Sequence, residues 1–268
     1  MTTFDAADLV ELRTLCERLA TGAGSIARDG RAAISASGSF DRSTKSSTTD
    51  VVTEYDRAAE QHIVDELRRR RPHDAIIGEE GTDDDGTSGY EWFIDPIDGT
   101  TNFVYDQPSW SCSVAVAHDG HMVAGAVFVP PLDELFSASL GAGATRNGET
   151  IRVSGATDLS LALVGTGFSY DPATRRHQAT VVAGLIDQVR DIRRLGSAAV
   201  DLCMVACGRL DVYFERHLNS WDAAAGELIA REAGATTSDF RGGPAEPAEL
   251  LATTPAVHAP MIALLRDA

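Results

Sequence analysis

One stretch of eleven residues, 92–102 (WFIDPIDGTTN), constrains the fold of this chain more than any other part of the sequence. Residues 92–94 are apolar and predict a buried strand. Asp95 and Asp98 follow, and Pro96 between them has no backbone donor, so we expect strand pairing to stop and the chain to turn there. Gly99 permits a tight turn, and the polar residues 100–102 suit the start of a helix.

A strand end with two acids directly before a helix start suggests a particular chemistry. Carboxylate oxygens are ligands that Mg²⁺ prefers in proteins. The free N–H groups of a new helix are suited to holding a phosphate beside that metal. A bare Asp-x-x-Asp pair is often only a solvated turn, but two acids at a strand end beside a helix start provide what the hydrolysis of phosphate esters needs.

Composition narrows the classes of protein to be considered. The 268 residues are 43% hydrophobic, which allows one large domain or two tightly joined halves. The net charge of −17 argues against non-specific binding to nucleic acid or to an anionic membrane. It is compatible with an anionic substrate, because a bound metal reverses the local field. The sequence shows no apolar run long enough for a membrane span and no signal peptide pattern.

The four cysteines show no zinc-binding spacing, so we expect a reduced, cytoplasmic protein. His118 and His121 flank a predicted hairpin turn, where exposure to solvent is a better expectation than metal binding.

The first half of the chain, residues 1–155, is predicted to place two helices on a largely antiparallel sheet. A Ser- and Thr-rich loop or hairpin over 35–50 joins the helices, and an exposed acidic loop is expected over 81–89. The predicted elements are helices over 5–28 (ended near Gly30) and from Thr53 to Pro72, and strands over 74–77, 92–94, 113–117, 122–129, 134–140 and 144–145.

The second half, residues 156–268, alternates strands and helices. We find neither an internal repeat nor a flexible linker, so the two halves are expected to share one rigid interface. The predicted elements are strands over 161–165, 192–195 and 210–214, and helices over 174–190, 196–208, 221–234 and 256–265.

Several polar residues have a structural interpretation beside a functional one. Asp56 can complete a helix cap with Thr53, Asp222 can cap the next-to-last helix, and Glu215 can be a surface acid. Glu79 follows a predicted strand and can be surface charge, or it can meet Asp95 and Asp98 across neighbouring strand ends. Lys45 is the only lysine among 23 basic residues, which suggests a retained function or chance survival.

The string DPIDGTTN resembles the signature of the inositol monophosphatase family, which comprises Mg²⁺-dependent, lithium-sensitive phosphatases. The other motifs similar to that family occur in the family's order and cover essentially the whole chain. They are the run KSSTTDVVTEYD from Lys45 to Asp56, GEE at 78–80, GSAA at 196–199, Glu215 seven residues before Asp222, and WDAAAG at 221–226.

The resemblance implies a site with two or three Mg²⁺ ions. Glu79, Asp95 and the carbonyl of Ile97 are implied to hold the first ion, and Asp95, Asp98 and Asp222 the second, with a third near Glu79. Glu79 and Thr100 are implied to orient a metal-activated water, with Lys45 and Asp56 nearby. The implied substrate contacts are Asp98, Gly99, Thr100, Gly196, Ser197, Ala198, Glu215 and Asp222.

The resemblance also implies a fold and a substrate. The fold is an α+β or α/β layered α-β-α-β-α sandwich, and the family is usually dimeric. The implied reaction is hydrolysis of inositol 1-phosphate, since Glu215 favours a polyol. Fructose 1,6-bisphosphate, histidinol phosphate and adenosine 3′,5′-bisphosphate are the alternative substrates, and a non-catalytic interaction protein on the same fold is the remaining alternative. The acidic insert around residues 83–86 departs in length from the family pattern.

Overall fold

A computed structural model of the protein describes residues 4–37, 42–44 and 51–266. Within these residues, helices and sheets alternate in five layers, which confirms the expected sandwich. The α-helices are α1 (Ala6–Ser37), α2 (Glu54–Arg70), α3 (Thr100–Val104), α4 (Pro172–Leu185), α5 (Ala198–Ala206), α6 (Ser220–Glu232) and α7 (Pro255–Leu265). None of the described helices is long and apolar enough to cross a membrane.

The first sheet comes entirely from the first half of the chain. Its spatial order is β10-β9-β8-β7-β6-β5-β3-β4, and α1 and α2 cover one face. The pairs are antiparallel except for β3 with β5, which are parallel. The strands are β3 (Ala75–Gly78), β4 (Asp83–Asp84), β5 (Tyr90–Asp98), β6 (Ser111–His118), β7 (His121–Val129), β8 (Glu134–Ser139), β9 (Ala144–Arg146) and β10 (Glu149–Thr150).

The second sheet has the order β12-β11-β13-β15-β14 and lies between two helical layers. Its strands are β11 (Leu163–Thr166), β12 (Asp191–Arg193), β13 (Val212–Arg216), β14 (Thr236–Ser238) and β15 (Glu249–Thr253). The first three strands run parallel, as βα alternation predicts, but β15 is antiparallel to both β13 and β14. The sequence analysis did not predict β14 or β15.

The middle layer, α5 and α6, is shared by the two sheets. One apolar cluster joins Phe93 and Ala115 of the first sheet to Leu202 of α5, Leu228 of α6 and Tyr213 of the second sheet. A second cluster lies under α1 and α2, and a third lies under α4 and α7. The division into halves at residue 155 stays a prediction, although these contacts show that the two sheets pack on the same helices.

Several predicted boundaries are wrong. Helix α4 ends at Leu185 and not at residue 190. Helix α1 continues through Gly30, where Tyr55 of α2 packs so closely that a Cβ at residue 30 would overlap its ring. The acidic stretch 81–89 contains β4, which pairs with the edge strand β3. In β5, the pairing with β6 shifts register between Asp95 and Asp98 and then resumes. The strand therefore contains a bulge at Pro96 instead of ending there.

The predicted hairpin over 35–50 is described in part. Strand β1 (Arg42–Thr44) pairs antiparallel with β2 (Val51–Thr53), and Thr53 caps α2. Residue Lys45 lies outside the described residues.

Candidate active site

The parallel pair β3 and β5 brings the first predicted site residues together. Gly78 is opposite Ile94 in the register, and the Glu79 N–H donates to the Ile94 carbonyl at 3.1 Å. Parallel strands end at the same edge of a sheet, so Glu79 and Asp95 both emerge at this edge. The sequence prediction that Glu79 meets Asp95 across neighbouring strand ends is therefore consistent with the structure, and both residues line the same pocket.

Three carboxylates meet in this pocket. One oxygen from each of Asp95, Asp98 and Asp222 lies within 4.8 Å of the others. Asp95 is 1% exposed and Asp98 is 8% exposed, while Asp222 is partly buried. Such a group of buried acids is costly unless a cation or protons balance its charge.

Burial and the neighbouring carboxylates raise the pKa values of these acids. Burial raises the pKa of Asp95 well above its usual range, and the neighbouring carboxylates of Glu79, Asp98 and Asp222 raise it further. Burial raises the pKa of Asp222 to about 8, with repulsion from Asp98 as the next cause. Burial raises the pKa of Asp98 only to about 6, because donors from Ser197 and Ala199 stabilise its charged form.

The middle layer holds two of these carboxylates in place. Asp98 Oδ2 accepts from Ser197 Oγ at 2.6 Å and from the Ala199 N–H at 2.7 Å, at the start of α5. Asp222 Oδ2 accepts from the Asn219 N–H at 2.6 Å, at the start of α6. Asp222 therefore completes the capping box of α6, whose N-cap is Asn219, and it also belongs to the acidic cluster.

The turn after β5 faces the same pocket. Gly99 has φ of 89°, and a Cβ there would lie 2.9 Å from the Ser109 carbonyl and 3.1 Å from the Gly196 carbonyl. The Thr100 hydroxyl lies 3.2 Å from Asp56 Oδ1 and 3.1 Å from the Ile97 carbonyl. Asp56 also completes the predicted capping box with Thr53. It therefore both caps α2 and contacts Thr100 in the pocket lining.

Glu215 lines the same pocket. Its Oε2 accepts from Tyr213 Oη at 2.6 Å, and a Cβ at Gly167 would overlap the carboxylate. Burial raises the pKa of Glu215 to about 7, although the Tyr213 hydroxyl and the Arg194 guanidinium act in the opposite direction. Glu215 is therefore no surface acid, but a partly buried acceptor in the lining of a pocket of about 430 Å³.

The structure places almost all predicted site residues around this pocket. Ser197 lies behind the wall and reaches it through Asp98, and Asp56 reaches it through Thr100. His118 and His121 pair at the end of the β6–β7 hairpin, away from this lining. The predicted residues in the lining are Glu79, Asp95, Ile97, Asp98, Gly99, Thr100, Gly196, Ala198, Glu215 and Asp222.

The residues missed by sequence reasoning are Tyr213, Arg194 and Glu60. The Tyr213 hydroxyl and the Arg194 guanidinium lower the pKa of Glu215. Glu60 contacts the turn that carries Glu79. The alternation of strand β13 gives the one available signal, because residues 213 and 215 are two apart and share a face.

The donor set fits a hard divalent cation. Asp95 Oδ1 is buried and has no hydrogen-bond partner in the part of the chain that the structure describes. Buried polar atoms are normally paired, so an unpaired oxygen inside a group of acids points to a bound cation. Carboxylates without cysteine or histidine partners favour Mg²⁺ over zinc.

Comparison with known proteins agrees with this fold. The model of the inositol monophosphatase family matches residues 8–267, and the chain belongs to this family of phosphatases. Among its relatives, the inositol-1-monophosphatase of Mycobacterium leprae is 43% identical, with 97% of this chain and 94% of the relative covered. The Nus factor SuhB of Escherichia coli strain K12 is 42% identical, with 82% and 84% covered.

Solved structures give the same result. The extragenic suppressor protein suhB of Bartonella henselae matches with a TM-score of 0.89 and 32% identity, covering 94% of this chain and 97% of its own. SaIMPase-II bound to inositol monophosphate matches with a TM-score of 0.78 and 27% identity, covering 96% and 94%.

Proposed function

We propose that this protein is a Mg²⁺-dependent phosphomonoesterase that hydrolyses inositol 1-phosphate to inositol and phosphate. The observation that carries the proposal is the acidic cluster of Asp95, Asp98 and Asp222, with Asp95 Oδ1 unpaired among the described residues. The cluster lies beside the Gly99–Thr100 turn in one pocket. The combination supplies ligands for cations and a place for a phosphate.

The proposed metal ligands rest on the family resemblance, and all of them line this pocket. Glu79, Asp95 and the Ile97 carbonyl would hold one Mg²⁺, and Asp95, Asp98 and Asp222 would hold another, with a third ion near Glu79. Bound Mg²⁺ neutralises charge on a phosphate ester and lowers the pKa of water, which makes attack at phosphorus possible at neutral pH.

The remaining roles belong to groups of the chain itself. The Gly99 and Thr100 N–H groups face the phosphate, and Gly196 and Ala198 line the side towards the sugar or polyol. Glu79 and Thr100 orient the attacking water, and Asp56 fixes the Thr100 hydroxyl through their 3.2 Å contact. Water attacks phosphorus and releases a proton to solvent, the ester P–O bond breaks, and the departing alkoxide takes up a proton from solvent, so no protein nucleophile is required. Lys45 is proposed to act near this site, by the family resemblance.

Glu215 supports a polyol substrate. It is a partly buried carboxylate in the pocket lining, and one of its oxygens, Oε2, accepts from the Tyr213 hydroxyl. Hydroxyl groups of inositol are donors that such an acceptor can bind. The inositol monophosphate bound to SaIMPase-II supports the same choice.

The proposal is tested by phosphate release from four esters at equal concentration. These are inositol 1-phosphate, fructose 1,6-bisphosphate, adenosine 3′,5′-bisphosphate and histidinol phosphate. We expect Mg²⁺-dependent release, highest for inositol 1-phosphate and reduced by Li⁺. A preference for another ester would overturn the substrate and keep the reaction class. A matched D95N variant controls for contaminating phosphatase.

A second candidate function is protein interaction, because relatives such as the Escherichia coli protein are named Nus factors. It would replace the first if no ester were hydrolysed with Mg²⁺ while a stable partner were recovered.

We also propose a homodimer in the cytoplasm. The dimer rests on the family resemblance, and sedimentation measures it. The location is supported by four cysteines that are all free.

A further inference from the structure

A buried acid on α2 contacts the segment that carries Glu79. Glu60 is 4% exposed and has no place in the pocket lining. Its carboxylate accepts three hydrogen bonds from the turn after β3: the Glu80 N–H at 2.8 Å, the Thr82 N–H at 3.2 Å and the Thr82 hydroxyl at 2.7 Å. An acid this deeply buried is stable only with such partners.

The turn is shaped around this carboxylate. The Gly78 N–H donates to the Thr82 carbonyl at 2.8 Å, which closes the turn. A Cβ at Gly78 would lie 2.6 Å from Glu60 Oε2, so a side chain there would displace the acid. Two backbone N–H groups and one hydroxyl converge on a single carboxylate, and this arrangement fixes the backbone from residue 78 to residue 82.

Glu79 lies inside this fixed segment. Its own N–H donates to Ile94 of β5, and its neighbour Glu80 donates to Glu60. The backbone of Glu79 is therefore held from the sheet on one side and from α2 on the other. Asp56, four residues before Glu60 and on the same face of α2, contacts Thr100 at 3.2 Å. Helix α2 thus supports both strand ends that form the site.

We propose that Glu60 is a positioning residue for the metal ligand Glu79, acting through the turn at residues 78–82. The inference rests on the proposed function, because it takes Glu79 as a ligand of Mg²⁺. Residues that orient a metal ligand change metal affinity by about 10- to 100-fold when they are replaced. The expected effect of losing Glu60 is therefore weaker Mg²⁺ binding with little change in turnover once the metal is saturating.

The test uses the full-length E60Q variant, which keeps the size of the side chain and replaces one acceptor oxygen by a donor. Two Mg²⁺ titrations are measured, one of the melting temperature and one of phosphate release. We expect both Mg²⁺ midpoints to rise about tenfold, with kcat at saturating Mg²⁺ within about threefold of the wild type. The control D65N removes an exposed acid from the same helix and should leave both midpoints unchanged.

A second variant, T82A, covers the case in which E60Q does not fold. It removes only the hydroxyl contact on a partly buried turn, and we expect both midpoints to rise about threefold. Wild-type Mg²⁺ midpoints in both variants, even with a lower melting temperature, would show that Glu60 is only structural. If the wild type itself shows no Mg²⁺ response, the proposed function fails together with this inference.

Discussion

The acidic cluster of Asp95, Asp98 and Asp222 lines the same pocket as Glu215, but the two are surrounded differently. Asp95 has other acids around it and an oxygen without a partner among the described residues. Glu215 has a hydroxyl donor at 2.6 Å and a guanidinium that favours its charged form. The first environment needs a cation or protons to balance its charge, whereas the second already stabilises part of its charge and leaves room for a neutral donor. The proposed metal side and the proposed substrate side thus differ in their neighbours, although both consist of acids.

The largest expected effect is at the metal side. D95N should lower kcat/KM for inositol 1-phosphate by about 10³-fold or more, because the metal supplies several kcal/mol of transition-state stabilisation. Without Mg²⁺ the same variant should melt at a higher temperature than the wild type, because one source of repulsion between buried acids is removed. Enzyme assays and calorimetry check the two effects. Full activity of D95N would sink the assignment.

On the substrate side, E215Q should raise KM for inositol 1-phosphate by about tenfold, since hydrogen bonds to a charged group contribute about 1.5–3 kcal/mol. Hydrolysis of p-nitrophenyl phosphate, which has no polyol hydroxyl, should change little. Steady-state kinetics on both esters measures the ratio. An equal loss on both substrates would place Glu215 in the chemistry and remove the contrast between the two sides.

The effect of Mg²⁺ on the melting temperature should also distinguish the proposed metal side from the proposed substrate side. At about 100 times its dissociation constant, Mg²⁺ stabilises the folded state by about 2.7 kcal/mol, which corresponds to about 5–10 °C in melting temperature. The shift should reverse with a chelator, disappear in D95N and persist in E215Q. Scanning fluorimetry measures it, and a shift that survives in D95N would contradict the ligand set.

The smallest effect concerns pH in the metal-free protein. The folded-state pKa values of Asp98 and Asp222, about 6 and about 8, exceed the unfolded value near 4. The folded chain therefore binds more protons than the unfolded chain, and its stability falls as pH rises through these values. We expect the melting temperature of the metal-free protein to fall between pH 5.5 and pH 8.5, which scanning fluorimetry at the two pH values measures.

D222N is the matched variant for this measurement, and its melting temperature should vary less with pH than that of the wild type. Saturating Mg²⁺ should oppose the trend, since the metal binds the deprotonated carboxylates. Identical pH profiles for D222N and the wild type would show that Asp222 does not contribute to the effect.

The sequence predicts the local parts of this molecule well and its long-range parts less well. Asp95, Asp98 and Asp222 stand in recognisable strings, and the helix caps at Thr53 and Asp222 follow from residue type. Strand β15 is as long as β13, but its antiparallel partners, β13 and β14, are set by the fold, so local periodicity gave no sign of it. Glu60 and Tyr213 were missed for the same reason, because their importance depends on which turn or acid they meet in space.

The shared middle layer has a consequence for how the protein reaches its native state. The proposed ligands extend from Glu79 at the end of β3 to Asp222 at the start of α6, so the chain must bring both sheets onto α5 and α6 before the full set exists. Distant contacts of this kind form late, since loop closure must come first. Magnesium would then stabilise a fold that is already assembled. A zinc finger differs, because its chain is unfolded without the ion. A ribosome-bound chain that ends before Asp222 should accordingly gain no stability from Mg²⁺.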